Sequence, residues 1–460
     1  MLRKILLRSV LGLVVLIVSL VLLFLIANWR DDTLRPEVRE AMQWQAPKII
    51  EDDNAYLLLL GLNARDTVDP LILGKRKLIQ QIQDYEKNGV IAPEYSERVA
   101  DPDEIEILKP KLEVCDHTNT PDCVAFYLAR SIEKEREIIN SHKTLLKNFE
   151  RLKVSSNFRE IHPPTISASS PNYAPYMYAA ELARMQAIRL IANGKPSEGI
   201  NDLLQIAVLT QNILEHADTL ILHTIALANL QKDLRILEEV LRRFPELNSD
   251  RKNIAKYLKE LSQDPVGIAK VFKFERQYGL QIWMKIYESQ SENELDRWED
   301  KILSYFQLPN ATLNTLYDWK SLWINGLKEP RVSYSQTKLR IEEQRKTLLG
   351  FGIENIYLRN PVSKILLFLH DEGYGVHFER HDDVIAQAHI LAIKLEILER
   401  GISKSEIPQF VKNHPAQQAI QLDGRPILWD AEKQQLLFEL RQPFKQGFQN
   451  EKIYRVQLPL

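Results

Sequence analysis

The sequence predicts a mainly α protein hung on one N-terminal transmembrane helix, with a small antiparallel β hairpin or meander near its C-terminal end. Three observations carry this. Val10 to Ala27 is an almost unbroken apolar run without a charge. Most of the chain that follows places apolar residues three to four positions apart, the period of a helix packed on one side. Ile427-Leu428-Trp429 and Leu436-Leu437-Phe438-Glu439 flank a polar hexapeptide, and that pattern reads as a hairpin.

Residues 10–27, at ~1.5 Å per residue, cover ~27 Å, close to the thickness of a bilayer core. Arg3, Lys4 and Arg8 precede the run and Trp29 borders its far end. The basic side is expected to stay in the cytoplasm and the aromatic to lie at the opposite interface, so the chain from about Asp31 onward belongs outside the cytoplasm. A cleaved signal peptide is the rival reading, but its apolar core spans only ~7–15 residues and small residues mark its cut site. No Ala-x-Ala follows here. The expectation is a single-pass inner-membrane protein with a retained anchor, a cytoplasmic N-terminus and a periplasmic bulk, meeting the lipid bilayer through residues 10–27.

Four regions follow from the pattern: the cytoplasmic tip and anchor (1–30), a juxtamembrane helical region with a cysteine loop (31–160), a helical-hairpin domain (161–350) and an α+β region (351–460). Pro36 suits the first turn of a short helix. Residues 54–61 are an apolar run of ambiguous period, a strand or the first core helix, with the helix favoured. In 71–87, Leu71, Leu78, Ile79, Ile82 and Tyr85 share a face, and Asn88-Gly89 ends the helix. Residues 90–123 read as an irregular inserted loop. Helical period returns over 124–151, and Pro163-Pro164 and Pro171 mark a hinge. Tyr176–Ala192 is one helix, with Ala180, Ala183, Ile188 and Ile191 inward. Ser197 is a candidate N-cap for a second over 198–214. A third covers 218–244, with a break expected near Gln231-Lys232-Asp233. Short links between these three suit either tetratricopeptide-like hairpins or an irregular bundle, because no sustained 34-residue period runs through them. Asp264-Pro265 interrupts the helices that follow. Trp319 and Trp323, four apart on a helix after Pro309, read as core. A helix over Asp382–Arg400 carries inward Ile385, Ala388, Ala392, Leu395 and Leu398, with Gly401 as its C-cap and a shorter helix over Glu406–Val411 beyond. Ile453 to Leu458 is a candidate third strand.

The 460 residues carry a formal charge of −2, and the part beyond residue 30 holds 56 basic against 62 acidic residues. That balance offers nothing to attract nucleic acid. The two cysteines, Cys115 and Cys123, flank a turn-like segment and suit a disulfide in an oxidising compartment. Their spacing matches neither a redox pair nor a common zinc pattern.

Chemistry has one candidate region, residues 370–389, where His370, His377, His381 and His389 fall among Asp371, Glu372, Glu379, Asp382 and Asp383. Imidazoles and carboxylates move protons near neutral pH and donate lone pairs to metals. His377, Glu379 and His381 are the weak catalytic candidates, and His370, His377 and His381 the weak ligands for a zinc-like metal. No His-Glu-x-x-His accompanies them, and no cofactor is expected. The plainer reading makes Asp382 or Asp383 a helix cap. Phosphate-binding glycine loops and the Gly-x-Ser-x-Gly elbow are absent; Gly61 and Gly74 stand alone.

The anchor, Pro309-Asn310-Ala311-Thr312-Leu313-Asn314 and Asp423-Gly424-Arg425-Pro426-Ile427-Leu428-Trp429-Asp430 together resemble uncharacterised single-anchor envelope proteins of Gram-negative bacteria. The resemblance implies a compartment and identifies no activity. The expected function is a membrane-anchored extracytoplasmic helical scaffold or binding protein, whose partner is another envelope protein or a cell-wall component. The alternative is a membrane-anchored hydrolase or metal-dependent enzyme centred on 370–389. An enzyme is the less favoured of the two.

Overall fold

The computed structural model describes residues 2–90, 101–105, 113–115, 120, 122–165, 171–244, 247, 250–261, 267–292, 307–326, 334–349, 359–361, 364, 367, 374–415, 425–446 and 449–458. Among them are sixteen helices and one three-stranded sheet. The chain forms two compact units. Unit 1 holds Met1–Trp44, Glu275–Glu329 and Ser335–Tyr374; unit 2 holds Gln45–Phe274, Pro330–Tyr334 and Gly375–Leu460. His370, Asp371, Glu372, Asp264-Pro265 and most of the 90–123 loop lie outside the described residues.

Unit 1 begins with α1 (Leu2–Ala27). Its stretch Arg8–Ala27 is long and apolar enough to cross a membrane. The side chains from Val10 to Leu23 stand exposed on every face, as suits a helix whose surroundings are apolar all round. α2 (Pro36–Met42) starts on Pro36, whose missing N–H costs nothing in the first turn. α12 (Gly267–Glu292) enters unit 1 after Phe274. α13 (Pro309–Gly326) turns Trp319 and Trp323 inward, as the spacing implied. α14 (Tyr334–Leu349) follows.

Unit 2 opens with α3 (Ala55–Leu60), capped by Asn54 and buried along its whole length. α4 (Pro70–Asn88) is capped by Asp69 and ends at Gly89, whose φ of +69° favours glycine. The two helices cross so closely that a Cβ on Gly74 would lie 1.8 Å from the Leu57 carbonyl oxygen, and one on Gly61 1.9 Å from that of Pro70. Both glycines are therefore packing devices. The expected face of α4 needs correction: Leu78 and Ile82 are buried, but Ile79 is exposed and Leu73 takes the core position. α5 (Cys123–Leu128), α6 (Ile132–Ser141) and α7 (Lys143–Lys153) divide the next helical stretch. Cys115 and Cys123 stand at disulfide distance, their Cα atoms 5.5 Å apart. Asp122, the cap of α5, also takes Arg242 and Arg243 at 3.0 and 3.1 Å.

α8 (Ala174–Ala192), α9 (Pro196–His216) and α10 (Leu220–Arg243) pack in succession. Gly194, at φ +80°, makes the first link. Ser197 is not a cap, because Pro196 already occupies the first turn; its hydroxyl donates to Asp250 at 3.2 Å. α10 runs unbroken through 231–233, because Lys232 and Asp233 bind partners on and beside α8 instead of seeking solvent. α11 (Arg251–Leu261) follows.

α15 (Tyr374–Arg400) starts eight residues ahead of the expected Asp382, and Gly401 ends it at φ +60°. After α16 (Ile407–Asn413) come β1 (Leu428–Asp430), β2 (Gln435–Gln446) and β3 (Gln449–Gln457), antiparallel in that order. Leu428 pairs with Leu437, and Phe438 with Tyr454. Ala386, Ile390, Ile393 and Ile397, one face of α15, close a core with Leu436, Phe438, Tyr454 and Val456.

Candidate functional site

α15 is buried nearly all round, and its polar residues sort by face. His377 and His381, one turn apart, point to α10. The Thr224 hydroxyl lies 3.3 Å from His377 Nδ1, and the His381 ring stacks on that of His223 with centroids 5.6 Å apart and planes at 21°. Burial, reinforced by His381 and His377, pushes His223 down to about 3; burial and Arg380 also lower His377. His223 and His377 are thus held neutral at neutral pH. Glu379 is not with them: on a helix it faces elsewhere, and Gln442 of β2 donates to it. The alternation that would align His377, Glu379 and His381 on a strand does not align them here. Stacked rings keep their in-plane lone pairs in nearly parallel planes, so the two do not aim at one point. Among the described residues no group of three histidine, cysteine or acidic side chains could hold a metal ion.

Asp382 and Asp383 lie inside α15, so neither caps it. Arg425 donates to both, at 2.6 and 2.8 Å, and Arg441 Nε reaches Asp382 at 3.0 Å. The backbone N–H groups of Arg441 and Gln442 complete the shell of Asp383. Burial still pushes Asp383 up to about 6. This clamp fastens β2 to the helix.

The third face of α15 opens on a cleft of 1380 Å³ lined by His389, Glu396, Lys259, Phe410 and His414, among others. His414 Nε2 lies 2.8 Å from Glu396 Oε2, and Arg400 binds the other oxygen of Glu396 at 2.5 Å. A histidine–carboxylate pair in an open cleft can bind a polar ligand or move a proton. Sequence reasoning missed His414 and Glu396 because they are eighteen positions apart with a helix break between them. It missed His223 because that residue is on another helix.

Among the described residues of unit 1, a connected polar cluster lies at the C-terminal end of α1. Arg359 donates to the carbonyls of Ala27, at 2.7 Å, and Arg30, at 3.0 Å, and pairs with Asp32. The Asn360 N–H donates to buried Asn28 Oδ1 at 2.8 Å, and its amide reaches Thr312 at 2.8 Å. Asp31 accepts from the N–H groups of Asn310 and Ala311 at 2.8 and 3.0 Å, so a residue just past α1 caps α13. Asn314 donates to the Thr33 carbonyl at 3.1 Å, and Arg35 binds Asp318 at 2.6 Å. Gln277 and Gln281 of α12 donate to the carbonyls of Gln43 and Met42. Nothing in the sequence signalled these pairings, which span more than 200 residues.

No family model, curated protein or solved structure matches the chain.

Proposed function

We propose that this is a membrane-anchored extracytoplasmic scaffold or binding protein, with α1 as a retained anchor and unit 2 as the displayed helical body. The observation that supports it best is the joint at the base of α1. Residues 27–43 donate to or accept from α12, α13 and residues 359–360, so a cut near residue 30 would strip unit 1 of Asn28, Ala27 and their bonds. A removable leader has no reason to be built into the fold it leaves. The cysteine pair fits an oxidising compartment. On this reading the succession α8–α9–α10 belongs to an irregular bundle or to tetratricopeptide-like hairpins, and the partner is another envelope protein or a cell-wall component.

The test has two arms. A reporter fused after residue 60 should be active only outside the cytoplasm, and protein extracted from membranes should have an intact mass that includes α1. A mature N-terminus near residue 30 would refute the retained anchor. Copurification in mild detergent then identifies the partner.

A second reading, an anchored hydrolase or metal-dependent enzyme, draws support from the gathering of His223 with His377 and His381. Elemental analysis of purified protein tests it: bound zinc that is lost when His377 and His381 are both changed to Ala would favour this reading over the first.

A further inference from the structure

The joint fixes more than attachment. Ala27 ends the apolar run, and the Arg359 guanidinium is bound to its carbonyl oxygen. A residue 332 positions later therefore stands at the hydrocarbon edge. The headgroup layer beyond that edge is roughly 5–7 Å deep. Arg30 lies three residues past Ala27, within ~11 Å of it even when fully extended. Trp29, 69% exposed, sits between them as an interfacial aromatic would. Lys364 begins the next turn, its N–H donating to the Asn360 carbonyl at 3.2 Å; partial burial, and after it the positive charge of Arg359, lowers its pKa from the usual lysine value.

The local carboxylates are engaged elsewhere. Asp32 is taken by Arg359, and Asp31 is spent on the first turn of α13. Arg30 and Lys364 have no carboxylate partner among the described residues. Two cations without a carboxylate partner, beside an arginine bound at the end of the apolar run, suit the phosphates of a lipid leaflet.

We propose that Arg30 and Lys364, beside Arg359, bind phospholipid phosphates in the leaflet at the C-terminal end of α1, so that unit 1 rests on the bilayer with no flexible stalk. The proposal depends on α1 spanning the membrane.

The full chain reconstituted in nanodiscs tests it. A fluorophore on Thr33→Cys, whose side chain is exposed, should be quenched by lipids carrying a nitroxide on the headgroup. Native mass spectrometry after mild extraction should show phosphatidylglycerol retained over phosphatidylcholine. R30Q and K364Q leave the joint's hydrogen bonds in place. Each should cut that preference about fivefold, the equivalent of about 1 kcal/mol per basic residue at an anionic surface. An unquenched label on an integral protein, or wild-type lipid preference in both variants, overturns the proposal and leaves the anchor standing. Release of the chain from membranes by alkaline wash would overturn both.

Discussion

Arg184 is fully buried between two carboxylates. Its Nε donates to Asp233 and its Nη1 to Glu181, both at 2.7 Å; Nη2 reaches Asn229 at 3.0 Å, and Lys232 joins Glu181 at 2.6 Å. Burial alone would raise Glu181, but Arg184 and Lys232 hold it down; at Asp233 burial outweighs Arg184 and the carboxyl is raised. Arg184→Met keeps the bulk but leaves two buried carboxylates with Lys232 alone. It should destabilise by about 3–5 kcal/mol, read from urea midpoints. Glu160 offers a pH test. It accepts from the Asp218 N–H at 2.6 Å and from both the N–H and hydroxyl of Thr219, yet burial pushes it up to about 7. The folded state then holds a proton between pH ~4.5 and ~7 that the unfolded chain has released, so stability falls as pH rises across that window, by up to about 3 kcal/mol. His162, pushed by burial down to about 4, works in the opposite direction: its contribution is lost as pH falls below about 6.5. Glu160→Gln should shift the slope of stability against pH upward between 4.5 and 7, because the falling contribution of Glu160 is removed while those of His162, His223 and Asp383 are unchanged. An unchanged slope would refute this account of Glu160. None of these groups was legible in the sequence. A buried charge looks like any other acidic or basic residue until its partner from a distant turn is known.

At the scale of elements the sequence was far more readable. α4, α8, α9, α10, α13 and the hairpin lie where periodicity, prolines and turn glycines put them, because those signals are local. The errors are also local in form but tertiary in cause. Asp382 and Asp383 resemble a helix start, yet Arg425 and Arg441 neutralise them inside α15 and the helix extends back to Tyr374. Lys232-Asp233 resembles a break, yet Glu181 and Arg184 receive those side chains. Glycines inside helices report contact. A Cβ on Gly199 would meet the Ala187 carbonyl oxygen at 2.4 Å, so α9 lies against the backbone of α8 there. Gly199→Ala should force the two helices apart and cost about 1–3 kcal/mol, despite alanine's better helix propensity. A gain in thermal midpoint would contradict the close crossing.

The whole molecule interleaves its two units along the chain, and this organisation leaves no trace in composition or period. Unit 1 takes its N-terminal segment from residues 1–44 and its remaining parts from 275–374. Asp31→Asn, with its charge removed from the first turn of α13, tests how far the segment after α1 supports that unit. It should speed proteolysis of α13 and lower stability by about 0.5–2 kcal/mol, the range of a lost helix cap. The joint also sets an order of events during synthesis. Asp32 leaves the ribosome 327 residues ahead of Arg359. At ~5–20 residues per second that gap lasts roughly 16–65 s. Throughout it the Ala27 and Arg30 carbonyls and the Asp32 carboxylate lack the guanidinium that later binds them, a nascent stage at which chaperones and proteases have their best access to the chain.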